Sequence, residues 1–144
     1  RWGGMLAGTV MGHLHLHVGD LVEAEAFYHR ALGLDKVVWS YPGALFLSAG
    51  GYHHHLGMNT WAAGAPPAGE DDAGLLEWTI ELPETESVAA TARSLEEAGY
   101  EVEREGEAEF TASDPWGTRL RVRAARTGAH EDGGVVDVER EGGK

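Results

Sequence analysis

Residues 12–18, GHLHLHV, alternate polar and apolar side chains with a period of two. That period predicts a strand with His13, His15 and His17 on one face and Leu14, Leu16 and Val18 on the other. At Asp20 the period changes. Leu21, Ala24, Phe27, Tyr28, Ala31 and Leu32 recur at helical spacing. Asp20 is a natural N-cap with Glu23 three residues on, and Gly33 is suited to end the helix in a left-handed conformation. Short strands are then expected over 37–41, 44–48 and 52–61, parted by Pro42-Gly43 and Gly50-Gly51, both turn signals.

The same β-α-β-β-β order repeats. LLEWTIEL, residues 75–82, reads as a strand. A helix over 85–98 runs through Val88, Ala92 and Leu95 and is closed by Gly99. Strands over 100–104, 109–112 and 118–123 complete the second copy, the last after Asp114-Pro115-Trp116-Gly117. The organisation expected is an N-terminal extension over 1–10, a first module over 11–61, an Ala/Gly/Pro/Asp linker over 62–73, a second module over 74–124, and a loose acidic Gly-rich tail over 125–144. One helix covers only one face of a four-stranded sheet, so each module needs another to bury it. Two such modules predict an α+β fold, a curved mixed sheet lining a cleft of the kind that small-molecule sites favour.

Composition narrows the chemistry. The 144 residues suit one domain. With no cysteine, disulfides, thiolate metal sites and cysteine nucleophiles are excluded. A net charge of -13, from 24 acidic against 11 basic residues, repels nucleic acid and anionic membranes. No apolar run reaches membrane-spanning length and no leader pattern is visible, so a cytoplasmic location is expected. The glycine pairs lie between strands rather than before a helix, which argues against a phosphate loop, and no G-x-S-x-G nucleophile motif occurs.

What remains is histidine chemistry. A neutral imidazole ligates Fe, Mn, Ni or Zn and titrates near neutrality. His13, His15 and His17 share a face, which also suits a plain half-exposed strand. In GGYHHHLGMNTW, residues 50–61, strand alternation would place His53 and His55 on one face and His54 on the other, so the three are not expected to form one metal site. Tyr52, Asn59 and Trp61 border them. Glu77 is a lone acid in an apolar strand, and Arg119, Arg121 and Arg123 share a face whose ordinary reading is solvated. An inward Arg121 would hold a substrate anion or pair with Glu77.

GHLHLHVGDLVEAEAFYHRALGL resembles the opening of a module of the vicinal oxygen chelate superfamily, which includes glyoxalases, bleomycin-resistance proteins and extradiol dioxygenases. The likeness runs through His13, Val18, Asp20, Phe27-Tyr28 and Leu32-Gly33. AGGYHHHLGMNTWAAGAPP resembles the third module of catechol-2,3-dioxygenase-like proteins built from four modules, and Asp114-Pro115-Trp116-Gly117 resembles the turn before a module's last strand. The resemblance covers residues 11 to about 123 and is to the C-terminal half of such a protein.

The resemblance implies a ring-cleaving dioxygenase, or half of one, with Fe(II) or Mn(II) held by a facial triad of two histidines and a glutamate, acting on a small aromatic substrate with O2. Carried over, His13 is a metal ligand, Glu77 stands where the second module offers its first-strand ligand, and the last ligand position falls at about Arg121, whose guanidinium cannot ligate a cation. His54 is the closest match to an acid–base histidine, with His53 and His55 left open for the same role because the strand register is not fixed; Tyr52, His15 and Arg121 are candidates for substrate contact. Arg121 in that place leaves two further readings open. One is a metal-free, small-molecule-binding dimer of the bleomycin-resistance type; the other is a glyoxalase-like lyase or isomerase. The missing ligand would come either from an irregular site, with Glu77 as an oxygen ligand completed by His15 or a histidine of the triple, or from pairing with an N-terminal half or a second chain.

Overall fold

A computed structural model of the chain describes residues 3–5, 9, 11–66, 69, 71–125 and 136–137. Most of the extension expected over 1–10 and most of the tail expected over 125–144 lie outside the described residues.

The first copy opens with β1 (Leu14–His17) and helix α1 (Leu21–Ala24), which runs on without a break as a π-helical stretch (Glu25–Ala31). Then come β2 (Asp35–Tyr41), β3 (Ala44–Ser48) and β4 (Leu56–Asn59). The second has β5 (Glu77–Leu82), α2 (Thr85–Glu97), β6 (Val102–Arg104), β7 (Glu109–Ser113) and β8 (Arg119–Ala124). Each copy forms a mixed sheet of the same order, β1-β4-β3-β2 and β5-β8-β7-β6, with the first and last strands parallel and the others antiparallel. A short β9 (Val136–Asp137) pairs antiparallel with the outer edge of β5, which differs from the loose tail expected there. This is the α+β architecture that the sequence predicts.

Local chemistry explains the helices. The Asp20 carboxylate accepts from the amides of Val22 and Glu23 at 2.8 and 2.9 Å, satisfying two of the first-turn donors that a helix leaves unpaired. At the other end the Leu32 amide donates to the Phe27 carbonyl five residues back, the π-helical spacing. Gly33 (φ 94°) and Gly99 (φ 90°) then turn the chain out of each helix through the left-handed region that glycine enters without steric cost.

The helices cover one face of the sheets and make a single core. Leu16, Val18, Phe27, Tyr28, Leu45, Leu47 and Met58 from the first copy join Trp78, Val88, Leu95, Leu120 and Val122 from the second. Phe27 meets Tyr100 edge-on, with ring centres 4.9 Å apart. The Tyr28 hydroxyl donates to Asp114 at 2.7 Å, and the other Asp114 oxygen accepts from the amides of Trp116 and Thr118. That carboxylate both shapes the Asp-Pro-Trp-Gly turn and ties the copies together. The opposite face of the first sheet carries the exposed His13, His15 and His17, as the period-two pattern predicts. Among the described residues no helix is long and apolar enough to cross a membrane.

Candidate functional site

The parallel pairing of β1 with β4 builds the site. Leu14 lies opposite Leu56, so the residues that lead into each strand sit side by side at one end of the sheet. The Leu14 amide donates to the His55 carbonyl at 2.9 Å, and the His55 amide to the Leu47 carbonyl at 2.9 Å. The chain leaves β3 through Gly50 and Gly51, both at positive φ (62° and 75°), and becomes a strand only at Leu56. This corrects the strand expected over 52–61. Because residues 53–55 form the approach to β4 rather than part of it, alternation does not separate them. His53 and His54 both turn toward His13.

The ring centres of His13 and His54 are 4.7 Å apart, and those of His53 and His54 4.6 Å. One ring nitrogen from each of His13, His53 and His54 lies within 4.8 Å of the others. Phe46, on the same sheet face, meets the His54 ring edge-on at 5.3 Å, and Tyr52 packs on His53 at 4.2 Å and on His55 at 4.6 Å. Among the described residues, no hydrogen bond or ion pair engages the rings of His13, His53 or His54.

Other histidines are committed elsewhere. The Asn59 side-chain oxygen accepts from the Trp61 amide, which fixes its NH2 group as the donor to His15 Nε2 at 2.6 Å. His15, when neutral, therefore carries its proton on Nδ1. His55 Nδ1 accepts from the Ala49 amide at 3.2 Å and lies 3.1 Å from the Ser48 hydroxyl, so it holds the β3–β4 loop. His29 Nδ1 lies 2.6 Å from the Leu34 carbonyl, to which it donates.

Burial pushes the His54 imidazole below its ordinary value, helped by positive charge on His13, His53, His15 and His55. His15 is exposed overall, but partial desolvation of its ring where it meets Asn59 does the same to it, with His17 and His13 adding to the effect. Both are thus biased toward the neutral form that a metal requires of its ligands.

Glu77 and Arg121 belong to a different constellation, on the second sheet. Glu77 binds Arg121 at 2.7 Å and Arg119 at 3.0 Å, and Arg121 also reaches Glu105 and Glu109. These hydrogen bonds, first of all that from Arg121, hold the Glu77 carboxyl below its usual range. They push the Arg121 guanidinium up. Of the residues singled out from the sequence, the structure therefore brings together His13, His53, His54 and Tyr52, and places His15 two residues on, within β1. Glu77 and Arg121 meet each other instead, as the pairing considered from the sequence would have it. Phe46 gave no signal in the sequence beyond its strand pattern.

The histidine group suits a divalent cation. Imidazole nitrogens on one ion, at metal distances of about 2.0–2.1 Å, stand about 3 Å apart. Rotation of the exposed His13 and His53 rings would close the difference from 4.8 Å. Glu77 does not suit one, since its lone pairs already serve two guanidinium groups.

Comparisons with known proteins agree with this architecture. The model of the Glyoxalase/Bleomycin resistance protein/Dioxygenase superfamily matches residues 10–122. A protein named catechol-2,3-dioxygenase, from Bacillus subtilis (strain 168), is 49% identical over 110 residues, 74% of this chain and 38% of the relative. The chain thus spans well under half the length of that relative. Among solved structures, a glyoxalase/dioxygenase from Nostoc punctiforme superposes with a TM-score of 0.67 at 14% identity, over 88% of this chain and 99% of that one. A lactoylglutathione lyase from Agrobacterium tumefaciens gives 0.60 at 18% identity, over 83% and 96%. At these identities the structural likenesses speak for the fold alone.

Proposed function

The chain belongs to the glyoxalase/bleomycin resistance protein/dioxygenase superfamily, and from that premise we propose that it is a ring-cleaving dioxygenase of the extradiol type, or a portion of one, acting on a small aromatic diol with O2. One observation carries the reading. In a chain 49% identical over 110 residues to a catechol-2,3-dioxygenase, His13 stands with His53 and His54 in a cluster of imidazoles that no hydrogen bond engages among the described residues.

A bound Fe(II) or Mn(II) would supply a Lewis acid and a template for both reactants. His13 would hold it. His54, in ring contact with His13 and biased toward neutrality by burial, is a base rather than an acid at neutral pH. Phe46 and Tyr52 give the cluster apolar walls against which a planar ring packs. Asn59 fixes the orientation and tautomer of His15 on the same face. Arg121 takes no substrate anion in this reading, because three carboxylates already occupy it.

Metal analysis of tag-free protein, together with oxygen uptake on catechol, tests the proposal. Stoichiometric iron or manganese and catechol-dependent oxygen consumption are expected, with both lost in His13→Ala. Protein that binds no metal and consumes no oxygen would overturn it. A second reading, a metal-free binding module, draws support from the Glu77–Arg121 pair, which leaves a salt bridge where the resemblance implies ligands. Binding of an aromatic ligand by metal-free protein would favour it.

A further inference from the structure

We infer that His13, His53 and His54 form an all-nitrogen divalent-metal site complete within the first β-α-β-β-β unit, with His53 and His54 as ligands in their own right, which takes His54 out of the proton-accepting role given it above, and with no carboxylate from the second sheet. Three observations converge. The three ring nitrogens lie within 4.8 Å of one another. None is engaged by a hydrogen bond among the described residues, whereas His15, His29 and His55 each are. The backbone that carries them is fixed from both sides, by the Leu14–His55 and His55–Leu47 hydrogen bonds, so the cluster comes from strand pairing rather than from chance approach of long side chains.

The chemistry of the donors follows. Three imidazoles suit a borderline divalent cation such as Fe, Co, Ni or Zn, and three protein ligands leave coordination positions open. Neutral ligands also leave the full +2 charge of the ion to its guest. A site of this kind favours an anion presenting two neighbouring oxygens, such as a deprotonated diol, over a neutral molecule. That preference rests on the function proposed above; the metal site itself does not.

Cobalt(II) titration of metal-free, tag-free protein tests the inference without any assay of turnover. Bound Co(II) shifts the ring N–H proton of each ligating histidine far outside the ordinary NMR range, so three such signals are expected. His13→Ala, His53→Ala and His54→Ala should each leave two signals and weaken Co(II) binding by about 10-fold or more. His17→Ala, which removes an exposed histidine of the same strand, and Glu77→Gln should leave three signals and unchanged affinity. Circular dichroism of each variant reports that it is folded. His54→Ala or His53→Ala protein that binds Co(II) as the parent does would overturn the inference. So would loss of binding in Glu77→Gln. Three signals in protein that never cleaves catechol would sink the proposed dioxygenase function and leave the metal site standing.

Discussion

At the scale of single residues, the Tyr28–Asp114 contact shows how one hydrogen bond serves the whole fold. Tyr28 is fully buried, and its hydroxyl faces a carboxylate that is only 5% exposed. Burial, reinforced by the Asp114 charge, pushes the Tyr28 phenol up, so it stays a donor across the working pH range. Tyr28→Phe keeps the ring and its packing but leaves that Asp114 oxygen short of a donor. A buried acceptor left unsatisfied costs about 1–3 kcal/mol. The variant should lose about that much stability in urea unfolding while binding Co(II) as the parent does, because Asp114 lies far along the chain from the histidine cluster and touches none of its rings. A loss of stability below about 0.5 kcal/mol would mean that Asp114 has another donor in its place.

At the scale of elements, the β3–β4 connection decides what the histidine string can do. Gly50 and Gly51 sit in the left-handed region, and a Cβ built on either meets nothing within 4 Å. Space is therefore not the constraint; backbone conformation is. Gly50→Val should cost about 1–2 kcal/mol and loosen the loop that presents His53 and His54, whereas Gly50→Asn, which tolerates positive φ, should cost less. Measured Co(II) affinity should fall in the valine variant and hold in the asparagine variant. The sequence made most of the fold legible. The period-two run at 12–18, the Asp20 cap, the two helix-ending glycines and the repeated order of elements all correspond to observed structure. The site was legible only in part, and the reason is physical. Alternation predicts side-chain direction inside a strand, but residues 53–55 lie before the strand begins, in a segment whose course is set by two left-handed glycines and by pairing with β1. Nothing local to GGYHHHLGMNTW reveals that His13, about forty positions upstream, completes the group.

At the scale of the whole molecule, two electrostatic effects act in opposite directions. A net charge of -13 strains the compact state through self-repulsion. The ionic network of Glu77, Arg119 and Arg121 with Glu103, Glu105 and Glu109 offsets part of that on the second sheet. Lowering the pH relieves the first and dismantles the second, so the stability of the parent protein alone would not separate them. The difference between the parent and Glu77→Gln does. In the folded state Glu77 is held below its ordinary value of 4.5, chiefly by the hydrogen bond from Arg121. A depressed carboxylate contributes stability that is fully present above its unfolded value and is lost as the pH falls through its folded value. The substitution leaves Arg121 paired with Glu105 and Glu109, so no buried charge is orphaned. At pH 7 it should therefore cost only about 1 kcal/mol, the upper end for partly exposed pairs. As the pH drops below 4.5, the parent's Glu77 takes up a proton, and the two stability curves should converge. Urea unfolding of both proteins between pH 7 and pH 3 measures the gap. A gap that stays constant over that range would show that Glu77 contributes through packing rather than charge.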